Sequence, residues 1–383
     1  MFIGVNLSPL LLILYKLFCF FFGRIAFCRF AENLIFLMRF LKVLVISCFC
    51  SLMVNGQSQY KVGVVGFYNL ENLFDTINQP EVNDDEFTPE GANLYTPAVY
   101  KDKLGKLSDV ISDIGMDASP DGLSILGVAE IENISVLKDL AAMPKLKGRN
   151  YQIVHFDSPD RRGIDVALFY NPRYFTVRAS ESLRVPLKNS DGTPYFTRDV
   201  LYVYGSYCGE PMHFFVNHWP SRRGGEEASA PSRALAAGVA KAKIDSIYKA
   251  DPDAKIILMG DLNDDPVSPS LTKILGTVGD KAKVKPQGIY NPWVGYYREG
   301  IGTLAYNDAW NLFDQIVVSY PFLDKTQNGF FFQKASIYKK EFMIQKQGRY
   351  KGYPMRTYDY SIYMGGYSDH FPTYITLLRP VSK

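Results

Sequence analysis

The feature that most constrains this chain is a series of short β-rich runs, bounded by Gly, Pro, Asn and Asp, that recurs from residue 61 to residue 378. The runs cover residues 61–67, 124–129, 151–156, 164–170, 201–207, 212–216, 255–259, 313–318 and 373–378. Their alternating or wholly apolar character is the signature of strands. Helical patterns fall between some of them, at 96–114, 135–142 and 228–250. Strands outnumber helices and several follow one another directly. That mix predicts an α/β fold in which two packed β-sheets are flanked by helices, rather than one parallel sheet.

The runs end on chemically capable residues. Asn69 follows VVGFY, Glu130 follows ILGVA, His218 follows FFVN, and Asp261 and Asn263 follow IILMG. Asp314 opens DQIVVS, and Asp369 with His370 precedes the last run. Polar residues that repeatedly close apolar strands are placed to converge on one rim, where loops on a rigid scaffold build sites.

The body reads as one domain, residues 57–383, without repeats, low-complexity text or an obvious linker. With 42 basic and 39 acidic residues, the formal charge of +3 commits the chain to no polyanionic partner as a whole. An anionic substrate must be held by local groups. Cys19, Cys28, Cys48 and Cys50 lie in the apolar N-terminal region, which leaves Cys208 alone in the body and excludes a disulfide framework there.

Residues 1–56 have a different character. From Met38 the text MRFLKVLVISCFCSLMVNGQSQ has a basic start, an apolar stretch over 43–54, then small and polar residues. This predicts a secretory signal peptide cleaved after Gly56, with Met38 as the true start and residues 1–37 an upstream over-extension. The expected destination is periplasmic or secreted. A membrane anchor is the competing reading, although the apolar stretch is short against the roughly 20 residues a span needs. Membrane contact is expected only through this segment, and no protein partner is implied. A lipoprotein signal at Cys48 would have a still shorter apolar region.

Glu130, Asp369 and the amide oxygen of Asn69 are hard oxygen ligands of the kind that suits Mg2+ or Mn2+, and no Cys/His cluster points to zinc. Any one of them alone would as readily cap a helix or a turn. In GDLNDDP, Asp261 can orient and deprotonate a water while Asn263 donates to a phosphate oxygen; Asp264 and Asp265 are assigned to an Asx turn. A His370 paired with a buried Asp314 is held in one tautomer with its protonated form favoured. NHWPSRRGG adds His218 with Arg222 and Arg223, whose guanidinium forks suit phosphate but are equally at home in solvent. His155 and His213 sit inside strand patterns and are assigned structural roles.

Together the segments FYNLENLFD, GVAEIEN, RRGIDVALFY, VNHWPSR, MGDLNDDP, FDQIVVS and SDHFP resemble, in order, the endonuclease/exonuclease/phosphatase superfamily, over about residues 62–378. The resemblance implies a four-layer αββα sandwich, two central mixed sheets flanked by helices, with the site at one rim. It implies that Asn69, Glu130 and Asp369 are metal-side ligands and that Asp261 activates water. Asn263 would orient the scissile phosphate, His370 would pair with Asp314, and His218 would be the second histidine of the deoxyribonuclease-like and sphingomyelinase-like branches. Arg162 becomes a phosphate-contact candidate; as neighbours on a strand, only one of Arg161 and Arg162 would face the site.

The expected activity is metal-dependent hydrolysis of phosphodiesters, with nucleic acid the expected substrate of an extracytoplasmic nuclease. A phosphomonoesterase or sphingomyelinase-like lipid phosphodiesterase is the first alternative, and a non-catalytic surface-binding protein the second. No basic, aromatic-interleaved stripe is apparent that would commit the chain to polynucleotide.

Overall fold

Two mixed β-sheets carry the chain from Tyr60 onward in this computed structural model, which describes residues 59–326 and 328–381 together with helical residues 13, 14, 16, 17, 20, 21 and 36–42. Met1–Gln59 and Tyr60–Lys383 form separate compact units. The apolar stretch 43–54 and the expected cleavage point after Gly56 lie outside the described residues. Among the described residues, no helix is long and apolar enough to cross a membrane.

In chain order the strands are β1 (Tyr60–Leu73), β2 (Ile125–Ile131), β3 (Gln152–His155), β4 (Asp165–Tyr170), β5 (Phe175–Leu183), β6 (Leu187–Lys188), β7 (Pro194–Tyr195), β8 (Val200–Tyr207), β9 (Glu210–His218), β10 (Ile256–Asp261), β11 (Thr277–Val278) and β12 (Ile289–Tyr290). They continue with β13 (Leu304–Tyr306), β14 (Ala309–Asn311), β15 (Asp314–Ser319), β16 (Phe331–Ile337), β17 (Tyr358–Asp359), β18 (Ile362–Tyr363) and β19 (Thr373–Pro380). The helices are α1 (Pro97–Asp113), α2 (Ile134–Ala142), α3 (Pro144–Lys147), α4 (Glu226–Ala250) and α5 (Trp293–Arg298). One sheet has the order β16-β19-β1-β2-β4-β3, the other β11-β12-β15-β10-β9-β8-β5.

Strand alternation divides the apolar residues into layers. Val65 and Phe67 of β1, Phe214 and Val216 of β9, Ile257 and Met259 of β10, and Ile316 and Val318 of β15 meet between the sheets. The opposite face of β1 and β2 packs on α1 and α2 through Val64, Leu126, Leu104 and Leu137. The opposite face of β9 and β10 packs on α4 through Phe215, Leu258, Ala240 and Ile244. The result is the expected four-layer sandwich. Gly127 shows how closely the sheets approach: a Cβ there would lie 2.6 Å from Met259 Sδ.

Local signals explain the element limits. Thr96 caps α1 by accepting from Val99 N, Pro97 occupies the first turn where no N–H is needed, and Leu104, Leu107 and Ile111 lie along its buried face. The outer strands β5 and β16 were not legible as runs, because an edge strand exposes much of its polar text: Glu181 and Lys334 are both solvent-facing.

Candidate active site

Parallel pairing of β1 with β2 and of β9 with β10 brings four C-terminal strand ends to one rim, and the antiparallel β15 and β19 bring their N-termini to it. Asn69, His218, Asp261 and Asp314 each continue the inward-facing parity of their strand. His218, Asp261 and Asp314 are also register partners across β9, β10 and β15, so one row of the sheet presents all three side by side. The other sheet supplies Asn69 beside Ala129, next to Glu130.

Glu130 reaches this row through a break in alternation. Between the pairs Asn69–Ala129 and Leu73–Ile131, residues 70–72 of β1 stand against Glu130 alone. Glu71, Asn72 and Glu130 all take positive φ values, of 49°, 55° and 60°. Bulges of this kind re-aim side chains beside active sites, and non-glycine residues held in this region store strain. The re-aimed Glu130 carboxylate accepts from Asn72 N at 3.1 Å and lies 3.7 Å from His218 Nε2.

Hydrogen bonds lock the remaining parts. Asn69 Nδ2 donates to Asp261 Oδ2 at 3.0 Å, and Asn263 N donates to Asp261 Oδ1 at 3.0 Å. Asn263, itself at φ 48°, also donates Nδ2 to Trp219 O at 3.0 Å. His370 Nδ1 meets Asp314 Oδ2 at 2.7 Å, the same oxygen that accepts from Thr303 Oγ1 at 2.5 Å. The opposite ring nitrogen, Nε2, faces Asp261 Oδ2 and Asp369 Oδ1, each 3.9 Å away.

The two histidines are driven in opposite directions. Burial alone would lower the His370 pKa, but Asp314, by charge and hydrogen bond, with Asp261 and Asp369, raises it well above the usual value. His218 is held well below its usual value by burial, then by Arg198, Arg162 and His370. His218 is therefore the neutral ring and His370 the cationic one. Two carboxylates near His218 Nε2, with Asp261 at 3.6 Å, favour the tautomer that carries its proton there.

The carboxylates are crowded. Burial, with Asp314 and Glu130 adding repulsion against the relief from His370, pushes Asp261 up to about 7. Burial and then Asp369 push Glu71 up to about 7 as well, against the relief from Lys103. A cation suits such a site. Glu130, His218 and Asp261 have ligand atoms within 4.8 Å of one another, as do Asp261, Asp314 and His370. Asn69 Oδ1 accepts from Glu71 N at 2.9 Å and keeps a second lone pair. The oxygen-rich donor set fits a hard divalent metal.

The structure corrects several sequence expectations. Arg161 and Arg162 occupy a turn before β4, not a strand, so alternation does not choose between them; both line one surface cleft of 530 Å³. The Arg162 side chain is half exposed, with Nε 3.4 Å from Asp160 Oδ1. Arg222, a phosphate-contact candidate by its place in the loop, is engaged within the protein: it donates to Asn263 O at 3.0 Å and to Asp265 Oδ2 at 3.0 Å, and stacks over Phe313 at 4.5 Å. Asp264 and Asp265 are not merely turn residues. Asp264 pairs with the fully buried Arg233 at 2.7 Å, and Asp265 accepts from Leu312 N.

Three residues at the site escaped sequence reasoning. Glu71 lies in FYNLENLFD two residues after Asn69, and its carboxylate accepts from Thr357 N at 2.7 Å. Lys103, buried on α1, donates to Glu71 O at 2.6 Å and Thr357 Oγ1 at 2.7 Å; a lysine in helical text carries no sign of this. Arg198 is buried against Asp160 at 3.0 Å and Trp219 O at 2.7 Å, which ties the loop after His218 to the Arg162 turn.

Comparison with known proteins bears on the family and the fold. A model of the endonuclease/exonuclease/phosphatase family matches residues 64–379. No curated protein matches. Among solved structures, TDP2 of D. rerio complexed with a single-strand DNA product is similar at 14% identity, covering 83% of this chain and 99% of that one, with a TM-score of 0.50. An endonuclease/exonuclease/phosphatase family protein of Bacteroides thetaiotaomicron matches at 17% identity over 85% of this chain and 100% of that one, TM-score 0.49. A mannosyl-6-phosphatase of the same organism matches at 18% identity, covering 82% and 99%, TM-score 0.47. By its seven ordered motifs, its two-sheet sandwich and the family match across nearly all of its body, the chain belongs to the endonuclease/exonuclease/phosphatase family, whose members hydrolyse phosphoester bonds.

Proposed function

We propose that this phosphoesterase is a Mg2+- or Mn2+-dependent phosphodiesterase acting on nucleic acid outside the cytoplasm. The observation that carries the reading is the buried Asp314–His370 pair, whose free ring nitrogen faces Asp261 across the rim. Export rests on the signal-peptide pattern before Gln57.

Glu130, Asp369 and the Asn69 amide oxygen would hold the metal, which when bound neutralises charge on the phosphate and the leaving oxygen. Asp261, raised to about 7 by burial and fixed by Asn69 and Asn263 N, orients the attacking water and takes its proton. His370 holds its Nδ1 proton against Asp314 and directs the Nε2 proton at a phosphoryl oxygen. Neutral His218 and the second amide hydrogen of Asn263 supply further fixed donors where charge develops. Arg222 acts as a positioning residue, since it holds the Asn263 carbonyl.

Turnover of plasmid DNA, RNA and a small phosphodiester, with Mg2+, Mn2+ or chelator and a His370→Ala control, tests the proposal. Metal-dependent and His370-dependent nicking is the expected result. Turnover of the small diester or a phospholipid without nucleic-acid cleavage would replace the substrate, and turnover insensitive to chelator and to His370→Ala would overturn the mechanism.

A further inference from the structure

The segment of residues 349–363 reads RYKGYPMRTYDYSIY, in which Arg349, Lys351 and Arg356 are interleaved with five tyrosines. This is basic, aromatic-interleaved text, although in a chain with 26 tyrosines packing is the default expectation for any one of them. The fold shows that not all of them pack. Tyr360 is 85% exposed, and Tyr306, at the end of β13, is 71% exposed. Both line one cleft of 470 Å³ between the β13–β14 hairpin and residues 349–360.

The cleft is built and it adjoins the reaction site. Tyr353 Oη donates to Asp308 Oδ1 at 2.6 Å and accepts from Asp308 N at 2.7 Å, clamping the hairpin tip to the segment. Arg356 lies over the Tyr350 ring at 5.1 Å, and its Nη2 is 3.5 Å from Oδ2 of Asp369. Arg356 thus joins the cleft to a carboxylate of the catalytic rim. Asp359 also lines the cleft, and its Oδ1 is buried without a hydrogen-bond partner among the described residues.

The lining selects a class of ligand. Arg349 and Arg356 are balanced by Asp308 and Asp359, so the cleft offers no surplus positive charge for a second phosphate. Exposed tyrosine faces reward a flat π-system, and the exposed Asp308 carboxylate can accept from an amino or imino edge. A paired base has its edge occupied and both faces stacked, so only an unpaired one can enter.

We propose that this cleft binds an unpaired nucleobase of the nucleotide next to the scissile phosphate, with Tyr306 and Tyr360 as the stacking surfaces, so that the enzyme favours single-stranded substrate. The inference rests on the nuclease reading above and adds the residues that choose the strand.

The test compares Tyr306→Ala, Tyr360→Ala and the double variant with wild type on a single-stranded oligonucleotide, its blunt duplex, the same strand abasic at the cleavage site, and methyl p-nitrophenyl phosphate. Each single change is expected to lower kcat/KM on the single strand about tenfold, mainly through KM, on the scale of one lost base stack. Tyr360→Phe should retain the wild-type value. The abasic strand and the small diester should be insensitive to either change. Wild-type rates on the single strand by the double variant, with the small diester still cleaved, would overturn the cleft assignment and leave the phosphodiesterase intact. A wild type that cleaves no nucleic acid removes the nuclease reading. Oligonucleotide anisotropy in chelator then decides the cleft on its own, since affinity unchanged in the double variant refutes it.

Discussion

His370 Nδ1 and Asp314 Oδ2 lie 2.7 Å apart in a buried pair, although 56 positions separate them in the chain. Asp314 opens β15 beside Asp261 of β10, so the residue that holds the cationic ring and the residue assigned to the water share one register position. Substitution of Asp314 by Asn keeps the shape and removes the charge that sustains imidazolium. We expect kcat to fall by about 100-fold, the upper end for losing the partner that orients a functional histidine, with KM nearly unchanged. Circular dichroism checks the fold, and a near-normal kcat would refute the pairing's role.

Asp261→Asn separates catalysis from stability. Loss of the base should lower kcat by at least about 100-fold. Because the native pKa of Asp261 is raised from the usual carboxylate value to about 7, the folded protein holds a proton there that the unfolded chain releases. The stability this group contributes is present at low pH and is lost as pH rises toward 7. In chelator, the Tm of Asp261→Asn minus that of wild type should therefore increase from pH 5 to pH 8. A constant or shrinking difference would contradict the crowded-carboxylate description.

Arg233 is a structural determinant of the catalytic loop. It lies fully buried on α4, and its Nε is 2.7 Å from Asp264 Oδ1 with the N–H not directed along the contact, so the pairing is coulombic. Arg233→Met leaves Asp264 buried with only Arg222 at 3.4 Å and Ser270 for relief. Truncating one partner of a buried pair costs about 3–5 kcal/mol. Urea unfolding should show a loss on this scale, together with reduced kcat as the Asn263 loop shifts; an unchanged midpoint would show that the loop does not depend on this pair.

His213 should make stability fall in mild acid. Burial, stacking against Tyr204 and a 2.9 Å contact of Nδ1 with Tyr202 Oη place it in an apolar stack, and burial lowers its pKa to about 4. A depressed histidine contributes stability that is complete above about pH 6.5 and is lost as pH falls toward 4. Partial exposure screens the effect to on the order of 1 kcal/mol. His213→Phe keeps the ring and removes the titration, so its Tm should drop less than that of wild type between pH 7 and pH 4.5. Parallel curves would exclude His213 as a contributor.

Much of the site was legible because strand parity is a short-range rule. Asn69, His218 and Asp261 close apolar runs and Asp314 opens one, and the alternation of those runs already sends all four inward; the runs of β1, β2, β9, β10, β15 and β19 are each recognisable. Thr96 and Pro97 likewise announced the start of α1. What escaped was whatever depended on a partner far along the chain. Arg222 and Arg223 are equivalent in text, yet Arg222 is drawn into Asn263, Asp264 and Asp265. Lys103 resembles any helical lysine until Glu71 and Thr357 close over it.

The sequence by itself determined the layered fold, the strand ends that carry the polar residues and the family, because each follows from local periodicity and ordered motifs. The tertiary structure alone decided the neutral state of His218, since it depends on burial and on Arg198, Arg162 and His370 brought from distant segments. It alone also turned Glu130 into the site through a bulge and brought Tyr306 and Tyr360 to the lining of one cleft, because convergence of distant loops is a property of packing that no local pattern encodes.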